Sequence, residues 1–245
     1  TFVDGDFLYF IDSTYALYEY DLNNHKAYFI ADMEAEILRR GEVSSIIKQK
    51  TDYFIGFKSS GLIQLKYMPD SKVKYSLQSI NVQSGIFCLM KDRFQDIIWV
   101  GADGQGLYMY FTDEFSIDNI MLDVPEYRVD NPVRALYQDQ DQTLWIGTKG
   151  GGILKMFDFH PDMETLPRAE RILASNSPLM DNSVYSFAPS RRKFLWIGTE
   201  SGLNYYSYSQ KRIQEFPVMA DGKMVKYVHS VRETNDSTLW VVSAG

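Results

Sequence analysis

The chain has a single cysteine, Cys88, so no intrachain disulfide can form, and one thiol does not separate an oxidising compartment from a reducing one. It has only three histidines, His25, His160 and His229, which fall at different phases of the sequence. No His/Cys or His/Glu spacing fits a zinc site, so no metal is expected. No run approaches the roughly 20 apolar residues that span a membrane, so no membrane contact by this segment is expected. Basic residues are not in excess. The formal charge is −7 and the pI about 5.0, which excludes the basic face that a nucleic-acid partner requires. The one basic cluster, Arg191-Arg192-Lys193, reads as a solvated turn. There is no initiator Met before Thr1 and no signal-peptide pattern, so any targeting segment is expected to have been removed.

What the chain does have is aromatic weight. Of its 245 residues 45% are hydrophobic and 15% aromatic, with 17 tyrosines, 15 phenylalanines and 4 tryptophans. That composition excludes disorder and suits half-buried pleated surfaces, where aromatic and β-branched side chains pack best. The length suffices for one large domain with a sizeable core.

A repeat organises it. Leu144-Trp145-Ile146-Gly147-Thr148 and Leu195-Trp196-Ile197-Gly198-Thr199 are identical, Ile98-Trp99-Val100-Gly101-Ala102 is close, and Phe54, Trp240 and Tyr9 anchor degenerate copies. The anchors at 9, 54, 99, 145, 196 and 240 are spaced by 45, 45, 46, 51 and 44 residues. A small residue and an aliphatic follow in phase: Ala16-Leu17, Gly61-Leu62, Gly106-Leu107, Gly152-Ile153 and Gly202-Leu203. Around the fourth copy, Val133, Ala135 and Tyr137 share one face of a first strand, and Asp139 to Gln142 forms a turn. Leu144 to Thr148 makes a second strand, Lys149-Gly150-Gly151-Gly152 a reversal, and Ile153 to Phe157 a third strand. A polar fourth strand near Glu170 to Leu173 completes the unit. Four antiparallel strands every 40 to 50 residues are the signature of a propeller blade. The expected fold is all-β: one partial β-propeller of four-stranded antiparallel blades over 1–245, with approximate units 1–30, 43–77, 85–121, 133–173, 184–216 and 227–245, the first and last truncated. One helix is expected over Ala31 to Arg40, ended by Gly41. Trp99, Trp145 and Trp196 are expected in the core between blades.

Asn176 to Val184, followed by Leu195-Trp196-Ile197-Gly198-Thr199-Glu200-Ser201-Gly202-Leu203, resembles the two-component regulator propeller repeat. Its pattern is an Asn-Ser-Val lead, an Asp-rich turn, Leu-Trp-Ile-Gly-Thr and then Gly-Leu. The resemblance covers nearly the whole chain, although Tyr9 and Ile11 depart from the pattern in the first copy. It implies a periplasmic sensor region of a hybrid two-component histidine kinase, one that responds to an oligosaccharide and regulates glycan-utilisation genes. It also implies an intact receptor that is inner-membrane anchored and homodimeric. Under this reading the chain holds five to six blades and is expected to continue past Gly245 to close a ring of about seven. The competing readings are a protein-interaction or dimerisation scaffold and a propeller enzyme such as a polysaccharide lyase.

The residues themselves carry no reaction. His25 and His160 sit in polar turns, and Asp92, Asp139 and Asp141 fall where turns need them rather than as a glycosidase pair. Asp103-Gly104-Gln105-Gly106 lacks the further carboxylates of a calcium loop. Gly150-Gly151-Gly152 precedes a strand, so it is no phosphate loop. No catalytic residue and no cofactor is therefore expected in this segment. Ligand contact falls instead on the reversal after each anchor strand, at Lys58, Asp103, Lys149 and Glu200, whose charge changes from copy to copy. Any exposed turn would vary in the same way. Tyr205, Tyr206 and Tyr208 offer either sugar-stacking faces or the alternating positions of one strand.

Overall fold

A computed structural model describes residues 1–120, 128–163, 165, 167–234 and 238–244. Residues 121 and 245, where the expected third and sixth units end, lie outside them. The first sheet comprises β1 (Phe2–Asp4), β2 (Phe7–Ile11), β3 (Ala16–Asp21) and β4 (Lys26–Asp32), and a helix, α1 (Glu34–Arg40), follows. The second holds β5 (Val43–Gln49), β6 (Asp52–Phe57), β7 (Leu62–Tyr67) and β8 (Tyr75–Ile80). The third holds β9 (Ile86–Lys91), β10 (Ile97–Ala102), β11 (Leu107–Phe111) and β12 (Ser116–Asn119). The fourth holds β13 (Val133–Gln138), β14 (Leu144–Thr148), β15 (Ile153–Met156) and β16 (Ala169–Ile172). The fifth holds β17 (Val184–Pro189), β18 (Phe194–Thr199), β19 (Leu203–Ser207) and β20 (Arg212–Glu215). A short hairpin, β21 (Met219–Ala220) with β22 (Lys223–Met224), precedes the pair β23 (Val228–Glu233) and β24 (Leu239–Ser243). Every four-stranded sheet is antiparallel with its strands in sequence order. The chain therefore folds as β-propeller blades, with the first strand of each sheet innermost.

Two compact units emerge. One comprises Thr1–Lys91, Asp96–Asp103 and Tyr108–Asp118; the other comprises Asp92–Gln95, Gly104–Leu107 and Asn119–Gly245. In the first, the innermost strands β1, β5 and β9 neighbour one another in turn; in the second, β13, β17 and β23 do.

The repeat motif has a physical reason at each letter. Trp99, Trp145 and Trp196 are buried, as are Tyr9 and Phe54 at the equivalent positions, whereas Trp240 is 64% exposed. The Trp145 indole N–H donates to the Asp139 carboxylate at 3.0 Å, so a large apolar ring is buried without stranding its donor. The motif glycine exists because the next blade lies against it. A Cβ on Gly147 would stand 2.8 Å from Val184 Cγ1, and one on Gly198 only 2.3 Å from the Val228 carbonyl. The threonine closes the reversal: the hydroxyls of Thr148 and Thr199 donate to the carbonyls of Gly152 and Gly202 at 2.9 and 2.8 Å. Gly152 turns the chain at φ +69°, a conformation that costs other residues a steric penalty. The aspartates of the first turn are structural, as expected. Asp12, Asp92 and Asp139 each accept two backbone N–H groups from residues two to four further on.

The helix is shorter than its pattern predicts. Ala31 and Asp32 extend β4 opposite Leu17 and Ala16, because ladder bonds to β3 are already available to them. Asp32 then accepts the Glu34 N–H at 2.9 Å, and Gly41 ends the helix at φ +85° with its N–H on the Ile37 carbonyl. Buried Met33 and partly buried Ile37 tie this segment into the first unit's core.

Candidate functional site

Lys58, Asp103, Lys149 and Glu200 occupy one position of the repeat, and the backbone treats them alike. Each N–H, immediately after the second strand, donates to the carbonyl immediately before the first strand of the same blade. The acceptors are Glu42, Gly85, Pro132 and Ser183, at 2.8 to 3.0 Å. The tips also bind the connection into the next blade. Gly61 donates to Ser84, Gly152 to Asn182, and Tyr227 to the Glu200 carbonyl, at 2.8, 2.8 and 2.7 Å. On this frame Lys58, Asp103 and Lys149 are exposed, while Glu200 is half-buried. Lys58 pairs with Glu42 at 2.7 Å, and its backbone carbonyl and Asp103 converge on Gly85.

A second recurring feature escapes a simple reading of strand alternation. The ladder between first and second strands slips by one residue near the start of the inner strand. Val133 faces Thr148 but Ala135 faces Gly147; Val184 faces Thr199 but Ser186 faces Gly198; Val228 faces Ser243 but Ser230 faces Val242. The skipped residues are Arg134, Tyr185 and His229. In the other unit they are Ser44 and Phe87. A bulge of this kind re-aims a side chain out of the pleat. It lies at the end of the inner strands next to the tip residues.

In the second unit these groups converge. The Tyr185 hydroxyl donates to the Glu200 carboxylate at 2.9 Å, and the His229 ring lies 4.9 Å from the Tyr185 ring at 39°. The Tyr185 phenol is pushed up to about 12, first by burial and then by its bond to Glu200 and that carboxylate's charge, against the pull of Arg134. Thus a guanidinium, a phenol, an imidazole and a carboxylate stand together on the neighbouring strands β13, β17 and β23 and the Glu200 tip. Such a set presents an aromatic face with flanking donors and acceptors, suited to a polar, hydroxyl-rich ligand. The sequence signal was available: each bulged residue directly follows the first aliphatic of its inner strand.

The remaining candidates fall elsewhere. His25 is an exposed turn residue beside the Tyr20 hydroxyl at 3.3 Å, and His160 is exposed. Tyr205 and Tyr206 are alternating packing positions: Tyr205 meets Trp196 and Phe216, while Tyr206 meets Trp145. Tyr208, two residues on, shares the Tyr206 side of the strand. Exposed Arg191, Arg192 and Lys193 form the first turn of the fifth blade, as expected of a solvated cluster. Among the described residues, no three His, Cys, Asp or Glu side chains converge as a metal site, and no helix is long and apolar enough to cross a membrane.

Comparison with known proteins agrees with the repeat. Residues 128–150 and 178–201, in the fourth and fifth blades, match the family model of the two-component regulator propeller. Histidine kinase P4 of Formosa agariphila is 28% identical over 171 residues, 68% of this chain and 12% of that protein. The extracellular domain of the putative hybrid two-component system BT3049 of B. thetaiotaomicron superposes with a TM-score of 0.67 at 18% identity, over 96% of this chain and 31% of that one. The extracellular domain of the putative one-component system BT4673 of the same organism gives 0.54 at 17% identity, over 98% and 38%. The chain thus spans about an eighth of the curated relative and under two fifths of each of these structures.

Proposed function

From the premise that this chain is built of two-component regulator propeller repeats, we propose that it is the periplasmic sensing region of a hybrid two-component histidine kinase. In this reading it binds rather than catalyses. Its signal is an oligosaccharide, and the output is expression of glycan-utilisation genes by a homodimeric, membrane-anchored receptor. In the second unit Lys149 and Glu200 contribute the tips of a recognition face and Arg134, Tyr185 and His229 its inner surface; in the first unit Lys58 and Asp103 contribute the corresponding tips. One observation supports this most. A backbone frame repeated from blade to blade presents a different side chain each time at the bulge and a charge that changes sign from one tip to the next. A fixed scaffold with variable chemistry is how a repeat protein builds specificity.

The test is calorimetry of the intact protein against a panel of oligosaccharides, repeated on Tyr185→Ala and Arg134→Ala. Binding of at least one oligosaccharide, weakened tenfold or more by either substitution with the melting temperature held within a few degrees, is the expected result. An intact protein that binds none of the panel, or binds with both variants unimpaired, overturns the proposal.

A further inference from the structure

Two residues after the repeat's aliphatic Leu17, Leu62 or Ile153, the third strand carries a polar, buried residue in three blades: Glu19 at 7% exposure, Gln64 at 2% and Lys155 at 5%. In two of them it faces a tyrosine of the following blade's third strand. The Tyr110 hydroxyl donates to Gln64 Oε1 at 3.1 Å, and Gln64 Nε2 donates to Asp52 at 2.6 Å. The amide thus has two good partners, and the groove beside it measures about 220 Å³.

Among the described residues Lys155 has no such partners. Its ammonium lies over the rings of Trp145, Tyr206 and Phe157 at 4.6, 4.6 and 5.0 Å. Its oxygen contacts, the Tyr206 hydroxyl and the Glu170 carboxylate, both stand at 3.4 Å. An ammonium carries three donors, and at that length neither bond is good. Glu170 is itself 56% exposed, where water screens its charge. Burial pulls the lysine below its ordinary value despite Glu170 and Asp139, the signature of a cation stripped of water and under-compensated. Beside it opens a cavity of about 650 Å³, within the range of small-molecule sites. Further cations, Arg168 and Lys211, line it, and so do acceptors: Asp141, Asp158, Glu170 and Thr143.

We propose that this groove between the fourth and fifth blades is a second binding site, taking an acidic sugar. The sugar's carboxylate or sulfate meets the Lys155 ammonium and the Arg168 guanidinium, and its hydroxyls donate to the carboxylates of the rim. A neutral sugar leaves the buried cation uncompensated; a bare anion leaves the rim acceptors unused. The site lies at the end of the blades away from Lys149 and Glu200, so it shares with the proposed function a carbohydrate ligand but none of its residues.

Calorimetric titration of the intact protein with glucuronate, glucose 6-sulfate, glucose and acetate tests it, the first two probes separating carboxylate from sulfate. At least one acidic sugar is expected to bind tenfold or more tightly than both glucose and acetate. Lys155→Met and Arg168→Gln are each expected to weaken that binding at least tenfold, whereas Tyr185→Ala leaves it unchanged. Should Lys155→Met fail to fold, Arg168→Gln and Lys211→Gln, both at exposed positions, carry the test. The proposal is overturned if glucose or acetate binds as tightly as the acidic sugars, if none binds, or if the loss follows Tyr185 and not the groove variants.

Discussion

The carboxylate of Asp139 holds the Trp145 indole N–H at 3.0 Å with one oxygen, and with the other it accepts the backbone N–H groups of Asp141 and Thr143. A turn residue and a core residue six positions apart are therefore one unit. Removing the carboxylate strands a buried indole donor and two turn amides at once.

Asp139→Ala is accordingly expected to cost about 2–4 kcal/mol, the range for losing a buried charge-assisted network. Asp139→Asn, which keeps an acceptor, is expected to lose less than half of that. Urea unfolding followed by tryptophan emission measures both; equal losses would show that the hydrogen bonds are not the cause.

The two identical pentapeptides differ in what a methyl group would strike. At Gly147 it meets the side chains of Val184 and Phe187, which can give; at Gly198 it meets the Val228 backbone carbonyl at 2.3 Å, which cannot. Gly147→Ala is expected to cost about 1–3 kcal/mol as ordinary overpacking. Gly198→Ala should cost clearly more and loosen the packing of β23 on β17, read as faster amide exchange across Val228–Glu233.

Thr148→Val and Thr199→Val keep shape and remove a buried hydroxyl that caps a glycine carbonyl. Each is expected to cost about 1–2 kcal/mol. Because the two sites sit in different blades, their effects should add within roughly 0.5 kcal/mol, as a double variant in the same urea assay will show.

Alkaline pH should destabilise the fold through its buried phenols. Tyr9 and Tyr53 have no exposed surface, and burial, reinforced at Tyr9 by the carboxylates of Asp4 and Glu19 and at Tyr53 by that of Glu19, pushes both well above the ordinary tyrosine range. In the unfolded chain they ionise near about 10. Above that pH the native state holds more protons than the unfolded one, so stability falls as pH rises, by at most about 1.4 kcal/mol per unit for each phenol. Unfolding free energies at pH 8, 10 and 11 give the slope, and Tyr53→Phe should reduce it.

The blades were legible in the sequence because their determinants are local. An anchor aromatic, a glycine under the next strand, a threonine and a turn glycine recur within a dozen residues. The turn aspartates, the three core tryptophans and the reversal at Gly150–Gly152 could be read for the same reason. The bulged trio Arg134, Tyr185 and His229 was not, because strict alternation places every second residue on one face and a bulge breaks that rule. The start of α1 was misread because Ala31 and Asp32 have a free ladder partner in β3 that no helical pattern reveals. Lys155 was hidden for a different reason. In its own strand it is one polar residue among aliphatics, and what buries it is Tyr206, from the next repeat. Aligning Glu19, Gln64, Met109, Lys155 and Tyr205 across the copies would have exposed the anomaly.

The bond from Tyr227 to the Glu200 carbonyl, and its counterpart from Gly152 to Asn182, join the Glu200 and Lys149 tips to the chain entering the next inner strand. Mechanically the fourth, fifth and sixth blades are then wired in series. A ligand that displaces Glu200 shifts the backbone feeding β23 whether or not it touches β23, so a contact at one blade becomes a strain on its successor.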